Sequence, residues 1–194
     1  MSNAGGMSTV TRYTDMLAGN AVWNPWEPQG AYDSLSTVTV PAGGVASITF
    51  AGIPQGYKHL QIRGSLLNGT DVGLIRFNGD STSGNYVEHG LRGDGSSASA
   101  YAQTSSRTAI QMSTAVSNST SPYTFIYDVL DYGSNTKNKT VRLLNGFDTN
   151  GAGQISFISG LYFPATIAPI TSTSITAGSG TFAVNSTVTL YGVR

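Results

Sequence analysis

A chain of 194 residues with 39% hydrophobic side chains can build one β domain with an appendage, and is too apolar to stay unfolded. Only 10% of its residues are charged, and ten basic residues balance ten acidic ones. That neutrality argues against nucleic-acid binding and against attachment to an anionic membrane, while the absence of cysteine excludes disulfides and thiolate metal or redox sites.

The first residues, Met1 to Met7, carry neither the basic nor the apolar region of a secretory signal. No run approaches the ~18 apolar residues of a membrane-spanning helix. Asn-X-Ser/Thr triplets begin at Asn68, Asn118, Asn138 and Asn185, as chance supplies in a chain rich in these residues. Residues 11–17 have the composition of one short helical turn. Val22-Trp23-Asn24-Pro25-Trp26-Glu27-Pro28 follows, with both tryptophans of the chain. Each proline removes a backbone donor and holds its predecessor extended, so residues 1–32 are expected to form an extended N-terminal arm that docks or makes an oligomer contact. Trp23 and Trp26 expose too much apolar surface to stay in water; either the chain's own sandwich or a neighbouring subunit must cover them.

From about residue 33 the pattern changes to short apolar/polar alternations, as in Ser47-Ile48-Thr49-Phe50, Leu60-Gln61-Ile62-Arg63 and Val188-Thr189-Leu190-Tyr191. Period two sends one set of side chains to a core and the other to solvent. Twelve strands are predicted, at 34–40, 45–50, 57–67, 73–78, 85–92, 99–104, 107–113, 122–132, 139–145, 154–163, 170–176 and 181–192. Pro41-Ala42-Gly43-Gly44, Asn78-Gly79-Asp80 and Asn150-Gly151 are among the turns between them. The Ser/Thr/Gly-rich stretches 81–85, 93–106 and 113–121 are expected in exposed loops. Many short antiparallel strands at near-regular spacing predict an all-β antiparallel sandwich, jelly-roll-like, over 33–194.

Chemistry is sparse. Glu88 and His89 are adjacent, so a strand points them to opposite faces. His59 and His89 have the option of meeting across strands, but two histidines without a placed carboxylate make a poor metal site. Asp128 and Asp131 read as turn or strand-edge acids bonded to backbone or arginine. Asp148-Thr149-Asn150-Gly151 hints at a calcium loop but lacks the remaining ligand spacing, and reads as a turn. Arg92-Gly93-Asp94 reads as part of a Gly-rich hairpin. Neither a catalytic constellation nor a metal or cofactor site is expected. What remains is binding: Tyr86, Tyr101, Tyr123, Tyr132 and Tyr162 lie in or beside predicted loops, where rings next to Ser, Gly and Asn suit polar recognition, sugars included. The other reading of these rings is that they cap the ends of the core.

Several segments share order and spacing with known proteins. Tyr32-Asp33-Ser34-Leu35-Ser36-Thr37-Val38-Thr39-Val40, Ile53-Pro54, Tyr57-Lys58-His59-Leu60-Gln61-Ile62-Arg63-Gly64, Arg76-Phe77-Asn78-Gly79-Asp80, Asp128-Val129-Leu130-Asp131-Tyr132, Lys139-Thr140-Val141-Arg142 and Leu190-Tyr191-Gly192-Val193-Arg194 carry the likeness. With them, the chain over 32–194 resembles small tailed-bacteriophage virion proteins, met as head fibres, capsid decoration proteins and distal parts of tail fibres. The resemblance implies a non-enzymatic β-sandwich, commonly a homotrimer, displayed on a particle assembled in the host cytoplasm. It carries over no binding residue. Two functions are expected from it. In one, a structural protein docks on capsid or tail subunits through Trp23, Pro25, Trp26 and Pro28. In the alternative, a host-receptor module contacts surface glycan through Tyr86, Tyr101, Tyr123 and Tyr132. A glycan-cleaving enzyme would need paired carboxylates facing a groove, which the sparse acids do not suggest.

Overall fold

Alternation becomes strand wherever the chain can be followed. The computed structural model describes residues 31–67, 73–112 and 121–194. Its strands are β1 (Tyr32–Thr39), β2 (Ser47–Ala51), β3 (His59–Leu66), β4 (Gly73–Phe77), β5 (Tyr86–Gly93), β6 (Ala98–Arg107), β7 (Ile110–Gln111), β8 (Tyr123–Leu130), β9 (Lys139–Thr149), β10 (Ala152–Tyr162), β11 (Ser172–Ala177) and β12 (Thr187–Val193). They form an eight-stranded sheet, β1-β12-β3-β8-β9-β10-β5-β6, and a four-stranded sheet, β2-β11-β4-β7. Every pairing is antiparallel. The protein is an all-β sandwich, and no helix occurs among the described residues. The expected arm, with Trp23, Pro25, Trp26 and Pro28, lies outside the described residues, as does most of the loop at 113–121.

β2 shows how the code works: Ile48 and Phe50 are buried while Ser47, Thr49 and Ala51 are exposed. In β8 the same rule buries Tyr123, Phe125, Tyr127 and Val129. These meet Ile75, Phe77 and Ile175 of the smaller sheet in one core. Tyr127, fully buried, sets its hydroxyl 3.2 Å from Thr173 Oγ1 of β11, so a polar tip inside the core finds a partner across the layers. A second tie between layers runs to a carboxylate: Glu88 of β5, almost wholly buried, accepts from the Gln111 N–H of β7 at 2.7 Å and pairs within its own sheet with Arg107 of β6 at 3.2 Å.

Two expectations are settled by the observed strand bounds. Of the two readings of 93–106, an exposed loop and a stretch holding a strand at 99–104, the strand stands, as β6 from Ala98 to Arg107. It is an edge strand exposed along most of its length, so it has no apolar set to reveal alternation. The last strand, predicted from residue 181, begins at Thr187. Phe182 makes only an isolated bridge to Val45, and Asn185 then turns the chain at φ 70°.

Candidate interaction surface

The tyrosines expected at loops are mostly core residues. Tyr86 and Tyr123 are the first residues of β5 and β8 and occupy inward positions, so their rings are buried. Tyr132 follows Asp131, whose φ of 49° turns the chain and sends the ring beneath Pro54, where its hydroxyl donates to the Pro54 carbonyl. These three therefore offer no ring face to a ligand. The expectation that they contact one is corrected by their registers. Tyr101, on β6, is half-buried: its ring lies over Gly90, with the Arg92 guanidinium carbon 5.3 Å from the ring centroid. A Cβ at Gly90 would sit 2.3 Å from that ring, so the glycine is what admits it.

Tyr162 is buried too and belongs to a latch around Asp80. The Asp80 carboxylate accepts from Asn85 Nδ2 (2.8 Å), the Thr82 N–H (2.7 Å) and the Tyr162 hydroxyl (3.0 Å). Burial pushes this carboxyl up, but the bonds from Asn85 and Thr82 outweigh it and hold it below its ordinary value. Tyr86 donates to the Asp80 carbonyl at 2.9 Å, and burial pushes its phenol up to about 12.

The other candidate groups are also spoken for. Glu88 and His89 do face opposite sides of β5, one buried and one exposed. His59 and His89 do not meet: β8, β9 and β10 lie between their strands, about 19 Å at the usual strand spacing. The Asp131 N–H donates to His59 Nδ1 at 3.0 Å. The partner of Asp131 is Lys137, whose bond at 3.0 Å holds the carboxyl low. Asp128 accepts from Gln61 Nε2 at 2.6 Å. Asp94 accepts from the Ser97 and Ser96 N–H groups at 2.7 and 2.9 Å, which depress it far below the usual carboxylate range and close the β5–β6 hairpin. Asp148 borders the β9–β10 hairpin, where Gly151 takes φ 96°. Among the described residues no group of three or more His, Cys, Asp or Glu is placed to hold a metal ion.

What stands out is on the outer face of the larger sheet, where the pairing registers line up Ile126 (β8), Leu144 (β9), Phe157 (β10), Leu91 (β5) and Ala100 (β6) in one row. Ile155 lies two residues from Phe157 on the same face. The exposures are large for apolar groups: Leu91 61%, Ile155 60%, Phe157 48%, Leu144 46% and Ile126 41%. Ile155 is opposite Gly93 on one side and Gly146 on the other, so it stands as a ridge between two hollows. One hollow, about 530 Å³, is bordered by Thr124, Ile126 and Leu144; the other, about 500 Å³, by Leu91, Ala98 and Phe157. Across β8, β3 and β1 the same face turns polar: Arg63 is 5.0 and 5.1 Å from the Tyr32 and Tyr191 ring centroids, and its Nε donates to Gln61. There the groups satisfy one another.

Sequence reasoning missed the row, although its signal was present. Phe125-Ile126-Tyr127, Leu143-Leu144 and Ile155-Ser156-Phe157-Ile158 break alternation with apolar residues on both sides of the strand. That is the pattern of a strand buried on two faces. Comparison with known proteins gives no further lead: no family model, curated protein or solved structure matches the chain.

Proposed function

We propose that the protein is a non-enzymatic structural protein of a tailed-phage particle, a capsid decoration, head-fibre or small tail-fibre subunit that works within a homotrimer. Residues 1–32, with Trp23 and Trp26, serve as its docking arm. One observation carries the assembly role: an apolar row on the outer face of the larger sheet, near the upper end of what soluble monomers expose. The acids add support, since nearly all of those described are engaged in turns or pairs, including Asp33 with Arg194, Asp80 with Asn85 and Glu88 with Arg107. The resemblance over 32–194 supplies the particle. The burial of Tyr86, Tyr123 and Tyr132 removes three of the four groups on which the glycan-binding alternative was built, leaving half-buried Tyr101.

Mass spectrometry of particles purified from the strain that encodes the chain tests this. The expected result is the chain at a fixed ratio to the capsid or tail proteins, and loss of a version lacking residues 1–31. Particles free of the chain reject the virion role; normal incorporation of the truncated chain rejects the arm as anchor.

A further inference from the structure

We infer that the apolar outer face of β8, β9, β10 and β5 is where copies of this chain meet, with the Ile155–Phe157 ridge of one copy entering a hollow beside the same ridge on another. The inference rests on the proposed assembly role and names its partner as a second copy.

Three observations select that occupant. The central strands are apolar on both sides: in β10, Ile158 is buried in the sandwich while Ile155 and Phe157 point the other way. Strands written this way end up covered on both faces, and in this structure the second face is open. The size fits as well. The five exposed residues present on the order of 500 Å² of surface, near the top of what a monomer carries and the larger part of the ~800 Å² per partner in a standard interface. Exposed Ala98, Ala100 and Thr124 extend it without adding charge. Finally, the face suits itself. None of Leu91, Ile126, Leu144, Ile155 and Phe157 is ionisable, and the charges that border them on the same face, Arg63, Arg142, Asp128 and Asp148, are of both signs, so copies meet without net repulsion. A ridge flanked by hollows of about 530 and 500 Å³ offers both halves of a fit on one surface.

Sedimentation velocity of the purified full chain over a hundredfold concentration range tests the inference, with Phe157→Asp and Ile155→Asp as breaking variants. Thr39→Asp, at the β1 edge of the same sheet, is the control. Gly93→Ser is a gentler break: a Cβ there meets nothing closer than 3.8 Å, so the side chain projects into the hollow without disturbing the subunit. The expected result is an oligomeric wild type and control, monomeric Asp variants with unchanged circular dichroism, and at least a tenfold weaker association for Gly93→Ser. A wild type that stays monomeric throughout, or Asp variants of wild-type mass, overturns the inference. A monomer that nonetheless enters particles overturns this inference alone; an oligomer absent from particles supports it and rejects the virion role.

Discussion

Two faces of the same four strands differ in a way that inverts the usual rule. On the outer face, the row from Ile126 through Leu144 and Phe157 to Leu91 is apolar and exposed. One residue along, on the inner face, the row from Phe125 through Asn145 and Ser156 to Arg92 turns polar and buried. Asn145 and Ser156 are 3% and 1% exposed, and Asn145 Nδ2 and Oδ1, Ser156 Oγ and Arg92 Nε find no hydrogen-bond partner among the described residues. At other inner positions, Leu60, Ile62, Val141 and Leu143 are apolar, while buried Glu88 is paired and buried Lys139 donates to backbone carbonyls. The lesson is that along these strands the in/out distinction is not kept: apolar side chains face out while polar ones are buried.

The largest expected effect breaks the comparison at its strongest point. Tyr127→Ala removes a fully buried ring from the shared core and should cost about 3–5 kcal/mol of unfolding free energy. Phe157→Ala, an aromatic of similar size on the other face, should change the unfolding of the separated subunit by less than about 0.5 kcal/mol. Urea denaturation at low protein concentration checks the pair. Equal losses from the two would mean that the outer row already packs within one chain.

A smaller effect tests how tightly the inner layer is filled. Phe125 lies over Gly64 of β3, where an added Cβ would sit 2.4 Å from the ring and 3.1 Å from Val188 Cγ2. Gly64→Ala should therefore cost about 1–3 kcal/mol by overpacking. Gly93→Ala, on the outer face, should be near neutral in the separated subunit. A Gly64→Ala protein with wild-type stability would show that the inner layer yields where close packing says it does not.

The polar end of the inner row gives a prediction near zero, or of opposite sign. A buried hydroxyl without a partner is a cost, so Ser156→Ala should leave stability unchanged or raise it by up to about 1 kcal/mol. Thermal unfolding measures it. A loss beyond about 1 kcal/mol would mean that Oγ holds a partner, and the inversion at this end of the sheet would then be a satisfied polar network.

How much of this was legible in advance depended on whether one strand face stayed wet. Where it did, as in Ser47-Ile48-Thr49-Phe50, alternation gave the strand and its buried set together. At β6 a strand reading and a loop reading overlapped, because an edge mostly of Ala, Ser and Thr, exposed along most of its length, has little period to detect. Tyr86 and Tyr123 fell at the starts of predicted strands, beside loops, where ligand contact and core capping both stayed open until register pointed the rings inward. The apolar row was missed for a third reason: alternation seeks one apolar face per strand, and Leu143-Leu144 or Phe157-Ile158 reads as noise unless a second cover is allowed for. Its alignment across β8, β9, β10 and β5 is set by long-range pairing, which no local window contains.

The finest test separates the rim from the interior by titration. Asp80, at the rim, is held below its ordinary value of 3.8 because hydrogen bonds from Asn85, Thr82 and Tyr162 outweigh its burial. The unfolded chain thus takes up that proton more readily. The stability this carboxylate contributes is complete above 3.8 and is lost as pH falls through its lower folded value. Glu88, on the inner face, is shifted the other way: burial pushes it above 4.5 despite the Gln111 N–H and Arg107. The folded chain keeps that proton longer, so the Glu88 contribution is complete below 4.5 and declines as pH rises through the raised folded value. Asp80→Asn should flatten the acid limb of the stability profile and leave the limb above it, while Glu88→Gln should do the reverse. Urea midpoints between about pH 3 and pH 7 resolve the two limbs. If both variants flatten the same limb, the carboxylates share one environment, and the distinction between rim and inner face does not hold for charge as it does for apolar side chains.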